Sequence, residues 1–175
     1  QASQLESMIL LNQGGRFEAR PLPREAQWSP VLGIGVADFD GDGAMDLALA
    51  QNLFTVHPDD TRLDAGQGMI LRGDGRGGFE VLPATQSGIR LNGEQRAAVV
   101  ADYDEDGRVD LVVTQNGADT ALFHNEGAVR GLRLRLKGPK GNSLGLGAVV
   151  RGVRGGIWGP CQMVTAGGGY WSQPG

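Results

Sequence analysis

Short apolar runs separated by clusters of Gly, Asn and Asp recur along the whole chain. None carries the three-to-four spacing of an amphipathic helix of useful length. The pattern predicts many short strands and tight turns. One unit is strand, Asp-rich loop, strand, longer connection, strand, Gly-rich hairpin, strand. The longest connection runs from about Phe54 to Gly68, and its His57-Pro58-Asp59-Asp60 start suits a surface excursion. Beyond Gly127 the pattern changes. Leu132, Leu134 and Leu136 alternate with Arg133, Arg135 and Lys137, which predicts a half-buried strand with a basic outer face. Ala148–Val153 and Gln162–Thr165 are expected to follow as two more strands.

The unit repeats. Val36-Ala37-Asp38-Phe39-Asp40-Gly41-Asp42-Gly43-Ala44-Met45-Asp46-Leu47 aligns with Val100-Ala101-Asp102-Tyr103-Asp104-Glu105-Asp106-Gly107-Arg108-Val109-Asp110-Leu111. All four Asp positions, the second Gly, the aromatic and the flanking apolar residues agree at an offset of 64 residues, and both copies run on to Gln-Asn. A second element recurs between the Asp loops, at Leu10–Phe17, Ile70–Phe79 and, as the start of a third copy, Leu122–Gly127. Each is an apolar strand leading into a Gly/Asn turn, where positive φ is cheap, and is expected to be followed by a return strand.

The Asp loops carry the candidate chemistry. Ca²⁺ takes six to eight oxygen ligands, and carboxylates at loop positions 1, 3, 5 and 9 can wrap one ion. These are Asp38, Asp40, Asp42 and Asp46 in loop one, and Asp102, Asp104, Asp106 and Asp110 in loop two. The position-7 carbonyls, of Ala44 and Arg108, would add another oxygen. Four carboxylates within nine residues repel one another unless a cation or solvent relieves them. Two Ca²⁺ sites are therefore expected, with Mg²⁺ the lesser candidate because it retains more water. Position 12 is Leu49 or Val113, inside an apolar strand, so the loops are not EF-hands.

Composition narrows the picture. The chain has 175 residues, 30 of them Gly without a collagen period, and a net charge of −4 concentrated in the Asp loops. No broad basic surface points to nucleic acid, and no apolar stretch approaches spanning length. Cys161 is the only cysteine, which excludes an internal disulfide. His57 and His124 are the only histidines, and neither sits in a Cys/His nucleophile motif. His124 takes the hairpin position of Leu11 and Arg72 and is expected to be an exposed strand residue. No catalytic group is identified, so no enzyme activity is expected. Gln1 opens directly into folded-looking sequence, so the chain is expected to be part of something longer.

The motif Asp-x-Asp-x-Asp-Gly-x-x-Asp-Leu, matched by Asp38–Leu47 and Asp102–Leu111, with its Gly hairpin, resembles the FG-GAP/VCBS repeat of integrin-α-like propellers. Gly73 stands where the hairpin motif has Asn, and Glu105 where loop position 4 is usually small. The part from about Gly131 resembles the ASPIC/UnbV module of the cartilage acidic protein family, through Leu132–Leu136, Asn142, Gly147–Arg151 and Gly167–Gln173. The resemblance implies an all-β fold: four-stranded antiparallel β-propeller blades plus a small C-terminal β-module. Its expected divisions are the end of a preceding blade (1–26), a blade with the first calcium loop (27–90), a second blade with the second loop (91–128) and a truncated ASPIC/UnbV-like module (129–175). It also implies a non-enzymatic, calcium-stabilised role in adhesion, protein interaction or complex assembly, in a secreted, cell-surface or periplasmic setting. A carbohydrate-binding module is the alternative. The expected partner is another protein, or the rest of a longer chain, covering open sheet edges. The basic stripe Arg130–Lys140 is a candidate for contact with an anionic glycan, a phospholipid surface or an acidic partner, and Trp158, Tyr170 and Trp171 are candidates for stacking on sugars.

Overall fold

The computed structural model describes residues 5–54, 56–57 and 59–166. The Gly167–Gln173 stretch, with Tyr170 and Trp171, lies outside the described residues. Among the described residues, eleven strands account for the regular structure, with one 3-10 turn at Arg24–Gln27 and one four-residue helix, α1, at Ala84–Ser87. β1 (Met8–Asn12) and β2 (Phe17–Pro21) form a hairpin. β3 (Val31–Ala37), β4 (Asp46–Gln51), β5 (Met69–Gly73) and β6 (Phe79–Leu82) form a four-stranded antiparallel meander. β7 (Glu94–Ala101), β8 (Asp110–Asn116) and β9 (Ala121–Phe123) form a three-stranded one. β10 (Val149–Arg154) and β11 (Ile157–Met163) close the described part as a second hairpin.

Period-2 alternation explains why the middle sheet is buried on both faces. Ala48 and Ala50 of β4 and Ile70 of β5 face Ala98 of β7 and Leu111 and Val113 of β8, with Ile89 closing the cluster. Leu49 of β4 and Leu71 of β5 point the other way, against Leu22 and Ala26. The two larger sheets approach closely because β3 carries glycines where it meets β7. A Cβ on Gly33 would sit 2.9 Å from the Ala97 Cα, and one on Gly35 would sit 2.9 Å from Val100 Cγ1.

The fold corrects the sequence expectation in three places. The all-β composition stands, but the strands divide into four separate sheets of two, four, three and two strands, each in open linear order. None closes on itself, so the β-propeller, and with it the integrin-like blade description, is not what this chain forms. The third hairpin copy is incomplete: β9 ends at Phe123 and no return strand pairs with it among the described residues. Leu132–Leu136 forms no strand either, and Leu132 is 93% exposed. Alternation marks two faces, but a strand needs a neighbour for its backbone N–H and C=O groups, and no strand pairs with this segment among the described residues.

Candidate metal centre

Each Asp loop bridges the first two strands of its sheet, loop one between β3 and β4, loop two between β7 and β8. The local geometry is built by the carboxylates themselves. Asp38 accepts hydrogen bonds from the backbone N–H groups of Gly41 (2.8 Å), Asp42 (3.1 Å) and Gly43 (2.9 Å). Asp102 repeats this with Asp106 (3.0 Å) and Gly107 (3.0 Å). Position 3 accepts from position 5, and position 5 from position 7: Asp40 from Asp42 and Asp42 from Ala44, then Asp104 from Asp106 and Asp106 from Arg108. Position 6 takes positive φ in both loops, at Gly43 (96°) and Gly107 (86°), where only Gly is unstrained.

Position 9 does something different. Asp46 and Asp110 are both 1% exposed and start β4 and β8. Asp46 accepts from Phe39 N–H at 2.8 Å through one oxygen and from Gly73 N–H at 2.8 Å through the other. Asp110 accepts from Tyr103 N–H at 3.2 Å and from Asn125 N–H at 2.8 Å. Each carboxylate thereby ties the start of its loop to the end of the third strand of its sheet. Such charge-assisted bonds are worth about 1.5–3 kcal/mol each.

The carboxylate oxygens of Asp38, Asp40 and Asp42 converge within 4.8 Å of one another, as do those of Asp102, Asp104 and Asp106. Asp46 is not part of the first trio. A third group joins Asp104, Asp110 and His124. His124 lies just past β9, with Nδ1 at 3.4 Å from Asp104 and 3.3 Å from Asp110, and meets Tyr103 edge-on. It is therefore not merely an exposed strand residue. The hairpin alignment held the signal: His124 takes the place of Arg72, and Arg72 feels Asp40 and Asp42 as well as its main partner Glu80.

The electrostatics of the two loops diverge. In loop one, burial is the chief force raising Asp38 above the ordinary carboxylate range, partly countered by the N–H groups of Gly43 and Gly41, with Asp42 and Asp40 adding to the rise. Burial likewise raises Asp46. In loop two, burial also pushes Asp106 up, but the Arg108 N–H, its guanidinium and His124 outweigh it, and the carboxyl is lowered. Arg108 pairs directly with Asp106, and Arg133 pairs with Glu105 at 2.8 Å. Among the described residues, no ion pair reaches Asp38, Asp40 or Asp42. The donor set fits a hard divalent cation: clustered carboxylate oxygens in a preformed wrap, one cluster without an ion pair among the described residues. The Asp/His clusters could coordinate such an ion.

Compared with known proteins, the chain matches no family model. No curated protein matches it either. Together with the open sheets, this corrects the assignment to FG-GAP/VCBS repeats and to an ASPIC/UnbV module. The Asp motif persists as a local geometry, without a family attached to it.

Proposed function

We propose that the protein is a calcium-binding interaction module in which both Asp loops hold an ion and neither performs catalysis. The observation that carries this reading is the loop-one trio, three carboxylates within 4.8 Å with no ion-pair partner among the described residues. The ligands would be Asp38, Asp40, Asp42 and the Ala44 carbonyl in loop one, and Asp102, Asp104, Asp106 and the Arg108 carbonyl in loop two. Asp46 and Asp110 are assigned mainly to holding the loops shut, because both oxygens of each already accept a backbone N–H. When bound, the cation supplies positive charge that relieves carboxylate repulsion and fixes the wrap.

Extracellular or periplasmic calcium suits a weak site of this kind, with affinity on the order of 10⁻⁴–10⁻³ M. The interacting side is assigned to the segment after Glu126. All 20 acidic residues lie at or before that position, whereas Arg130, Arg133, Arg135, Lys137, Lys140, Arg151 and Arg154 follow it. Leu132, Leu134, Leu144, Trp158 and Met163 are exposed there. A protein with an acidic, partly apolar surface matches that chemistry.

Thermal unfolding with and without calcium tests the metal reading. At free calcium a hundredfold above Kd, each site stabilises the fold by about 2.7 kcal/mol, so the midpoint rises by several degrees and EDTA reverses it. An unchanged midpoint, with no calcium retained in native mass spectrometry, sinks the proposal. A second reading for loop two has its own observation, the nitrogen donor of His124 beside Asp104 and Asp110. Imidazole suits a transition ion better than calcium. Competition by Mn²⁺ or Zn²⁺ that disappears in His124→Ala, with calcium binding intact, would select that reading.

A further inference from the structure

The segment that follows β9 is laid across both Asp loops. Asn125 sits at the centre. Its backbone N–H donates to Asp110 of loop two. Its side-chain Nδ2 donates to the Phe39 carbonyl of loop one at 2.8 Å and to the Val109 carbonyl of loop two at 3.1 Å. Its Oδ1 accepts from the N–H groups of Gly127 and Ala128, both at 3.2 Å, which turns the chain. The strap then alternates between loops. The Ala128 carbonyl accepts from Arg108 Nε at 2.8 Å, Val129 N–H donates to the Asp40 carbonyl at 3.4 Å, and Gly131 N–H donates to the Gly107 carbonyl at 2.7 Å. Arg133 reaches Glu105 at 2.8 Å.

One sequence difference between the loops follows from this strap. Loop position 4 has positive φ in both, 79° at Gly41 and 64° at Glu105. A Cβ on Gly41 would lie 2.9 Å from both Cβ and N of Val129, so loop one has no room for a side chain there. Loop two carries Glu105 at the same position, turned outward to Arg133. The non-glycine residue at positive φ is thus held by an ion pair, and the glycine by contact with the strap.

We propose that Asn125 is a positioning residue that makes the two Asp loops one coupled unit, so that ordering one loop orders the other and the start of the basic segment. A single side-chain amide bonded to both loops cannot keep both bonds if either loop shifts by more than a fraction of an ångström. The calcium part of this inference rests on the function proposed above; the mechanical part does not.

Hydrogen exchange in EDTA tests the mechanical part on the whole chain. Asn125→Ala should speed exchange of the loop-one amides of Gly41, Asp42 and Gly43 by about tenfold or more, the equivalent of one lost net hydrogen bond. Amides of β10 and β11 should be unaffected. Gly41→Ala serves if Asn125→Ala fails to fold: pushing Val129 of the strap away from loop one should speed exchange of Asp106 and Gly107 in loop two. Unchanged exchange in the opposite loop overturns the coupling, whether or not calcium binds. With calcium, trypsin cleavage after Arg130 and Arg133 should slow, and Asp40→Asn in loop one should abolish that protection. If calcium binds both loops but the Asp40→Asn protein is still protected, the coupling is wrong and the metal sites stand. If calcium binds neither loop while the exchange effects appear, the metal reading is wrong and the coupling stands.

Discussion

Loop one and loop two share their Asp positions, their position-6 glycine and most of their backbone hydrogen bonds, yet they are electrically different objects. Loop one has Ala44 at position 7 and is left with acids that burial raises, while loop two has Arg108 there and an Asp106 that is lowered. Across the third strand, Arg72 overlooks loop one and His124 reaches into loop two. The Asp spacing sets how the backbone wraps; the residues at positions 4 and 7 and on the neighbouring strand set how much charge the wrap has left for an ion. Loop one is left with the less compensated carboxylates, whereas loop two has partly supplied its own positive charge.

The largest expected effect tests what the loops share. Asp46→Ala and Asp110→Ala each strip two backbone N–H groups of their acceptor. Each should cost about 2–4 kcal/mol in urea unfolding measured in EDTA. Equal costs would mean that the position-9 clamp is independent of the charge difference. A cost below about 1 kcal/mol in either variant would show that water replaces the carboxylate and that the clamp is not structural.

A smaller effect tests where the sheets diverge. Gly73 and Asn125 occupy the same place, each donating its N–H to the position-9 Asp. A Cβ on Gly73 would lie 2.1 Å from the Met45 carbonyl oxygen, whereas Asn125 uses its side chain to bond the equivalent carbonyl of Val109. Gly73→Ala should therefore destabilise by about 1–3 kcal/mol, through overpacking. A neutral Gly73→Ala would mean that the β4–β5 corner is slack and that the glycine is incidental.

Much of this was legible in the residues, and the limits have physical causes. The aligned Asp motifs place β3, β4, β7 and β8, because apolar alternation and the position-6 glycine act locally. The Gly-rich turn after Ile70-Leu71 likewise gives β5 and β6. Closure into a propeller is a long-range property that no local pattern dictates, and here the sheets stay open. The alternation Leu132–Leu136 reads as a strand but lacks a pairing partner. Asn125 looks like another turn residue in sequence, and only the fold shows that its amide serves Phe39 and Val109, which are far apart in the chain. His124 shares its hairpin position with Leu11 and Arg72, which reads as an exposed strand site, and only the fold brings it beside Asp104 and Asp110.

Charge exchange at position 7 should act on affinity more than on stability. Arg108→Ala removes the guanidinium that competes with a divalent ion for Asp106, and should tighten calcium at loop two by roughly three- to tenfold at low salt. Ala44→Arg should weaken loop one by a similar factor. Calorimetric titration of each variant, with the opposite loop disabled by Asp→Asn at position 3, separates the two sites. If Arg108→Ala leaves loop-two affinity unchanged, the ion pair with Asp106 does not compete with the cation.

The subtlest contrast is in proton affinity, and it has opposite signs in the two loops. With calcium removed, Asp38 and Asp46 sit above the ordinary Asp value of 3.8. Between that value and their folded values the native state binds more protons than the unfolded one, so their contribution to stability declines as pH rises through the window. Asp106 sits below 3.8, so its contribution is present above that value and is lost as pH falls through the lower, folded one. Carboxyl carbon chemical shifts followed by NMR from acid to neutral pH in EDTA should show Asp38 titrating above and Asp106 below an ordinary aspartate. Arg108→Ala should move Asp106 upward, because burial is then opposed only by the residue-108 backbone N–H and by His124. If Asp106 does not move, its low value owes nothing to the position-7 side chain and rests on the backbone N–H of residue 108 and on His124.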